Sequence, residues 1–300
     1  MMNANKLENF DVLCKIGEGA YGEVFKAMHK LTKRLYALKR VKIHDENEGV
    51  PRSAIREIAI LKDIDHPNIV RLHSILNYNK YFYLVLELSE MDLKKYLSVL
   101  DAPLKLREIK LVALQLLKGL AELHKKKIMH RDLKPQNILV DIEEELTVKI
   151  GDLGLARTIN IPAQQYTTEV TTLWYRAPEV LLGTKKYNEG IDMWSLGCII
   201  AELVKHKPVF PGKDEKDQLE RLVVALGYPK DWQELIGLPN YHLIKNFEGW
   251  ERSEFFMIFP ELDPLGLDFL AQMLVFDPNK RITAQKALEH KWLANIEISP

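Results

Sequence analysis

Cysteine is scarce: Cys14 and Cys198 are the only two in 300 residues. That excludes a disulfide framework and a cysteine-rich metal site, and it predicts a reducing compartment. Long apolar runs are missing as well. No stretch approaches the roughly 18 apolar residues of a membrane span, and no signal-type segment opens the chain, so a soluble intracellular protein is expected. Net charge is absent, with 42 Lys and Arg against 42 Asp and Glu, so bulk electrostatics draw the chain neither to nucleic acid nor to a membrane. Internal repeats, low-complexity tracts and an obvious linker are also lacking. Hydrophobic residues make up 47%, enough for a sizeable core in one large domain or two small ones.

What is present concentrates in Ile128-Met-His-Arg-Asp-Leu-Lys-Pro-Gln-Asn137, followed by Gly151-Asp-Leu-Gly154. Asp132, Lys134, Asn137 and Asp152 thereby fall on two loops joined by a short hairpin over Ile138 to Ile150. Two carboxylates, a carboxamide and an ammonium so gathered suit a divalent metal, a phosphate chain and a hydroxyl that must lose its proton. An aspartate near the hydroxyl can accept that proton. Asn137 and the second aspartate supply the hard oxygen ligands that Mg²⁺ prefers. His130 reads as a packed structural residue, and His29, His44, His73, His206 and His290 have no metal-ligand spacing.

Residues 10–43 read as strands. Phe10 to Ile16 alternates, Glu23 to Ala27 is strand-like again, and Gly17-Glu-Gly-Ala-Tyr-Gly22 lies between them. In a dinucleotide fold such glycines open a helix; here strand-like residues follow Gly22, so they sit at a hairpin tip. That tip is either an ordinary tight turn or a flexible loop whose backbone approaches phosphates. Leu35-Tyr-Ala-Leu-Lys39 is the next strand. Lys39 is either a solvated strand end or, given the glycine hairpin before it and Glu57 after it, a phosphate-facing ammonium.

Glu57 falls on a helix predicted over Ser53 to Lys62, with Ala54, Ile58 and Leu61 on one face and Pro51 near its start. Turned inward, Glu57 would hold Lys39 against the α- and β-phosphates, and a swinging helix would make the pair a switch. Tyr81 to Leu88 is a further strand. After Ser89-Glu-Met-Asp92 helices dominate, with Leu111 to His124 and Ile191 to Leu203 apolar on most sides and expected to be buried. The expectation is an α+β chain with a strand-rich lobe over residues 1–88, a helical lobe over 89–300, and a ligand cleft at a hinge near Glu87 to Glu90. Leu155 to Leu173 has little periodicity and reads as a mobile surface segment, and Thr283 is the expected cap of a helix from Ala284.

Gly17-Glu-Gly-Ala-Tyr-Gly22, Glu48-Gly-Val-Pro-Arg-Ser-Ala-Ile-Arg-Glu57, His130-Arg-Asp-Leu-Lys-Pro-Gln-Asn137 and Thr172-Leu-Trp-Tyr-Arg-Ala-Pro-Glu179 together resemble a protein kinase over nearly the whole chain, and specifically a cyclin-dependent kinase. The length, with no tail at either end, is also similar to that group. The resemblance implies a bilobal protein-kinase-like fold, with a five-stranded antiparallel sheet and one helix in the N-lobe and a mainly helical C-lobe. It implies a Ser/Thr protein kinase using ATP and Mg²⁺, bound by a cyclin through the Pro51–Glu57 helix and acting on protein substrates of cell-cycle control in cytoplasm and nucleus.

By the same resemblance Lys39 and Glu57 form an ion pair, Asp132 is the base, and Asn137 with Asp152 holds Mg²⁺. Lys134 would neutralise the γ-phosphate, and Thr172 would steady Asp132 and Lys134. Gly17, Gly19 and Gly22 would cover the phosphates. Glu87 and Ser89 would offer backbone groups to adenine, lined by Ile16, Val24, Ala37, Leu86 and Leu139, with Asp92 in the same nucleotide site. Glu179 is expected to pair with Arg281, and Asp192 to brace the catalytic loop.

Activation follows from charge. If the guanidinium groups of Arg56, Arg131 and Arg157 meet, they repel, and a phosphate of roughly two negative charges would bind all three and order the segment. The alternative is three solvated surface arginines. Thr167 matches the family's activating threonine, with Thr168 its rival, and its phosphorylation would need an activating kinase. Departures from the family pattern are Leu153, where Phe is usual, and Ala20, which leaves Tyr21 as the loop site for inhibitory phosphorylation. Thr171 stands where valine is common in the pocket for the residue after the phosphoacceptor, and Arg176 is retained there, so Ser or Thr before Pro is the expected target. Residues 240–246, through His242, do not clearly match the surface that binds small Cks-type subunits, and that partner is not carried over.

Rival readings fare less well. A mitogen-activated kinase would show Thr-x-Tyr where Gln165-Tyr-Thr-Thr-Glu169 places the tyrosine first. A pseudokinase scaffold would usually have lost Lys39, Asp132 or Asp152, and all are present.

Overall fold

The computed structural model describes residues 6–19, 22–42, 52–143, 145–158, 173–251, 255–294 and 296. Strands β1 (Phe10–Gly19), β2 (Gly22–His29), β3 (Leu35–Lys42), β4 (Leu72–Tyr78) and β5 (Tyr81–Leu86) form one five-stranded antiparallel sheet in the order β1-β2-β3-β5-β4. Successive side chains on a strand point to opposite faces. On β3, Leu38 joins a small cluster with Phe10, Ala27, Leu76, Tyr83 and Val85, while Ala37 and Val41 join the main core. Lys39 shares the parity of Ala37 and Val41, so the pleat turns its side chain toward the main core and away from solvent. Of the two readings of Lys39, the solvated strand end is therefore excluded: the residue is buried.

Gly22 makes the tight approach after the hairpin tip possible. Its φ is 142°, and a Cβ there would stand 1.9 Å from the Arg40 carbonyl oxygen, so only glycine fits.

Helix α1 (Arg52–Lys62) packs beside the sheet and on the turn Leu153–Leu155. Pro51 lies outside the described residues, as does the Ala54 side chain. Of the face expected from Ala54, Ile58 and Leu61, Leu61 is buried and Ile58 is half-buried against the main core, with Glu57 and Ile60 buried beside them. The helix turns the Glu57 carboxylate inward onto the buried Lys39 ammonium, so neither buried charge is left unpaired.

The rest of the chain is mainly helical. After β6 (Met91–Asp92) come α2 (Leu93–Val99), α3 (Leu106–Lys125), β7 (Ile128–Met129), β8 (Ile138–Asp141), β9 (Thr147–Ile150) and β10 (Arg157–Thr158). Then follow α4 (Pro178–Leu181), α5 (Gly190–Lys205), α6 (Glu215–Leu226), α7 (Pro264–Met273) and α8 (Ala284–Leu288). The architecture is α+β and bilobal, a five-stranded sheet with one helix followed by a helical part, as expected. Thr283 caps α8, its hydroxyl accepting from the Lys286 N–H. Arg157 and Thr158 depart from the irregular segment expected there: they pair with Met129 and Ile128, which satisfies backbone groups beside a buried strand. Among the described residues no helix is long and apolar enough to cross a membrane.

Two buried polar devices lock these pieces together. Asn68 follows α1, and its Nδ2 donates to the Gln115 Oε1 on α3 (3.0 Å) and to the Val148 carbonyl on β9 (2.9 Å). Deeper in the helical part, the Arg281 guanidinium binds Glu179 through two bonds of 2.7 and 2.6 Å and also donates to the carbonyls of Val275, Phe276 and Gly190. Arg281 is the fork geometry used to capacity, with its plane over the Trp194 ring. Truncation would strand a carboxylate that is 1% exposed. Arg281→Ala is expected to cost about 3–5 kcal/mol, read as a lower urea midpoint at unchanged m-value; a shift below about 1 kcal/mol would mean that the pair is dispensable.

Candidate active site

The site begins as a row across the sheet. Gly17 pairs with Val24, Val24 with Lys39, and Lys39 with Leu84. Directly paired residues share a face, so Gly17, Val24 and Lys39 look the same way. One step along, Ala37 pairs with Leu86, and both are buried on that face. The apolar wall expected around adenine therefore exists as a surface of Val24, Ala37 and Leu86. Ile16, beside it, is 49% exposed. Leu139 comes from β8 in the other lobe, its Cδ1 close against Gly151. Gly19 pairs with Gly22 at the hairpin mouth; Tyr21 and Ala20, at its tip, lie outside the described residues.

Lys39 is the meeting point. Its Nζ donates to both oxygens of Glu57 (2.8 and 2.9 Å) and to Oδ1 of Asp152 (2.8 Å). Burial alone would discharge the ammonium, but the carboxylates of Asp152 and Glu57 outweigh it and raise its pKa above the ordinary lysine value. Two carboxylates share that one cation, and they part. Burial pushes both upward; the Lys39 charge wins at Asp152, which is held below the usual carboxylate range. At Glu57, burial and the neighbouring charge of Asp152 win over Lys39, and its pKa is raised.

Asp152 adopts a left-handed backbone, φ 49°, uncommon for a residue with a side chain and typical of strained functional positions. The turn after it buries Leu153 completely, so the leucine that replaces phenylalanine still packs.

Facing this group is the loop between β7 and β8. Asp132 is buried; its Oδ2 binds Lys134 Nζ (2.9 Å) and Asn137 Nδ2 (3.1 Å), and its carbonyl accepts from the same Nδ2 (2.7 Å). Its other oxygen, Oδ1, is buried and has no hydrogen-bond partner among the described residues. A buried acceptor left open in this way is costly and marks a place for an incoming donor. The Asn137 carbonyl accepts the Gly151 N–H (2.8 Å), which sets Asn137 and Asp152 side by side across the hairpin. Among the described residues no group of three or more His, Cys, Asp or Glu gathers to hold a metal. Asn137 and Asp152 offer two hard oxygens instead, which fits a cation such as Mg²⁺ that takes few protein ligands and completes its shell with water and phosphate.

The loop is braced from below. Asp192 on α5 accepts from the His130 N–H (2.9 Å), the Arg131 N–H (2.8 Å) and lies 2.8 Å from His124 Nε2. These bonds hold Arg131 at φ 73°. His130 itself is packed, its Nε2 2.9 Å from the Gly151 carbonyl, which ties the loop to the Asp152 turn.

The remaining expected positions scatter. Glu87 and Ser89 lie between β5 and β6, and Asp92 caps α2 by accepting from Lys95 N–H (2.8 Å). Arg176 lines a small cavity with Arg131, Asp132, Tyr175 and Ser195. Thr167, Thr171 and Thr172 lie outside the described residues, and Arg157 enters only through its backbone. The Arg131 guanidinium donates from Nη1 to the Leu155 carbonyl (3.2 Å) and lies over the Tyr187 ring at 5.4 Å. Arg56 likewise has an interaction of its own.

Several site residues escaped the sequence reading. Asn68 and Gln115 bind across separate segments, and Tyr175 donates to a buried Glu202 (2.5 Å) whose pKa burial raises. A polar residue in an apolar run was the available signal for Gln115 and Glu202; their partners lie too far along the chain to be paired from spacing.

A family model described as protein kinase domain matches residues 10–293, a span that holds every group of this site.

The brace gives a pH signature. Burial opposes the charge on Asp192, yet the bonds from His124 and the Arg131 N–H hold its pKa below the ordinary 3.8. Its stabilisation is then complete above the unfolded value and is lost as pH falls toward the folded one. Asp192→Asn should be less stable by about 1–3 kcal/mol at pH 7, with the gap closing below about pH 4. Urea unfolding at both pH values checks this; a gap of equal size at each would mean that the carboxylate charge contributes nothing.

Proposed function

Since the chain belongs to the protein kinase family, we propose that it is a cyclin-dependent Ser/Thr kinase, moving the γ-phosphate of ATP to a protein hydroxyl that precedes proline. The family carries ATP use with a divalent metal; the finer assignment rests on this chain's residues. The observation that carries the chemistry is the open Asp132 Oδ1, buried while its sister oxygen is held by Lys134 and Asn137.

In this reading the substrate hydroxyl donates to Oδ1 and gives up its proton there as its oxygen attacks the γ-phosphorus and the bond to the ADP oxygen breaks. Oδ2 cannot take that role without losing two bonds. Lys39 faces the α- and β-phosphates, positioned by Glu57, and Lys134 lies where the transferring group passes. Asn137 and Asp152 would hold Mg²⁺, which when bound neutralises charge on the β- and γ-oxygens. Phosphoryl transfer asks for positioning and charge more than covalent work, which suits a loop braced by buried bonds from Asp192.

The cyclin assignment draws support from α1. It carries Glu57, packs on the turn Leu153–Leu155 after Asp152, and exposes Ile55 (53%) on its outer face. A partner pressing there would move both carboxylates that share Lys39. Regulation by phosphate at Thr167, and the activating kinase it needs, belong to the same proposal.

The deciding experiment is a MgATP assay on Ser-Pro peptides, with the chain alone and with cyclin co-purified from source cells. Transfer that rises with cyclin supports the proposal, and no transfer in either arm rejects it. Asp132→Asn should keep nucleotide affinity and lose roughly 10²–10⁴-fold in turnover; undiminished turnover would remove Asp132 as the base. Thr167→Ala should lower activity with an unchanged melting temperature, and full activity would shift the switch to Thr168 or abolish it.

A further inference from the structure

We infer that a polar clamp between the hinge and the β8–β9 hairpin fixes the backbone edge that meets the nucleotide base, with Asp141 as its central positioning residue. The inference rests on the kinase reading above. The hinge, Glu87 to Glu90, joins β5 to β6, and a connection this short and partly exposed would by itself be free to flex. Here it is fastened at both ends. Asp141, the last residue of β8, accepts from the Ser89 hydroxyl with Oδ2 (3.0 Å) and from the Glu90 N–H with Oδ1 (2.9 Å). Glu90 reciprocates, its Oε1 accepting the Ile142 N–H (3.0 Å). At the other end the Glu87 carboxylate pairs with the Lys149 ammonium of β9.

The same hairpin carries the floor of the expected base pocket. Leu139 stands opposite Lys149 in the β8–β9 register, on the strand that ends at Asp141. Glu87 spends its N–H on the Arg71 carbonyl (2.9 Å), which ties the start of the hinge to the chain just before β4. Fastening both hinge ends to one hairpin therefore sets the gap between hinge backbone and Leu139, the gap a purine ring must enter. The clamp bonds are partly exposed, so they add little to global stability. Their effect is on local geometry, where a loosened edge lowers affinity and blurs the choice between purines.

The test uses the full chain and needs no turnover. MgADP and MgGDP are titrated by calorimetry into wild type, Asp141→Ala and Asp141→Asn. Asp141→Ala should weaken MgADP roughly three- to tenfold and narrow its preference over MgGDP, with thermal melting within a few degrees of wild type. Asp141→Asn should restore most of both, because its carbonyl still accepts from Glu90 and the Ser89 hydroxyl can rotate to accept from its amide. Equal affinities across folded variants, or equal weakening for both nucleotides, overturn the clamp. If Asp141→Ala does not fold, Ser89→Ala replaces it, with a smaller shift in the same direction expected and no shift overturning. Wild type that binds neither nucleotide overturns the kinase reading instead.

Discussion

One buried ammonium shared by two carboxylates is the constraint to which the rest of the structure answers. Lys39 comes from the sheet, Glu57 from the helix beside it and Asp152 from the turn after the β8–β9 hairpin, and all three meet within 2.9 Å. The carboxylates of Asp152 and Glu57 together outweigh burial and keep this ammonium charged. Withdrawing α1 would leave Lys39 with Asp152 as its partner and expose the helix's apolar stripe, so helix position and the pairing of Lys39 change together. The unequal pKa directions at Glu57 and Asp152 follow from the same crowding, since two like charges close together cannot be equally comfortable.

The helical part supplies the rigidity against which that triad works. Its anchors are polar and buried: Asp192 under the catalytic loop, Arg281 against Glu179, and Asn68 with Gln115 between the parts. Each would be a liability without its partners, because a lone buried polar group loses its water and gains nothing. The bonds from Asp192 hold the uncommon backbone at Arg131, next to Asp132. Stability and positioning are here served by the same bonds.

Much of this was legible in the chain itself. The glycine hairpin, the strand that carries Lys39 and the loop residues Asp132, Lys134, Asn137 and Asp152 followed from alternation, spacing and donor chemistry. Resemblance to kinases supplied Asp192 and the pair Glu179 and Arg281, because their partners are separated by tens of residues. On α1 the expected side chains do turn inward: Leu61 is buried, Ile58 packs against the core, and Glu57 is buried beside them. Arg131 meets a carbonyl and an aromatic ring, contacts that its charge alone does not announce. Nothing in the sequence singles out Asp141 or Lys149, and only their approach to the hinge marks them out.

The sequence by itself determined the inventory: which side chains could bind phosphate, accept a proton or hold a cation, and which segments would be strand or helix. Those properties are local, set by residue type and by periods of two and near four. Only the tertiary structure decided who shares whom: that Glu57 and Asp152 divide one lysine, that Asp132 keeps one oxygen open, and that a hairpin carboxylate grips the hinge. Such pairings depend on distances between remote segments and on desolvation, and a chain acquires both only when it packs.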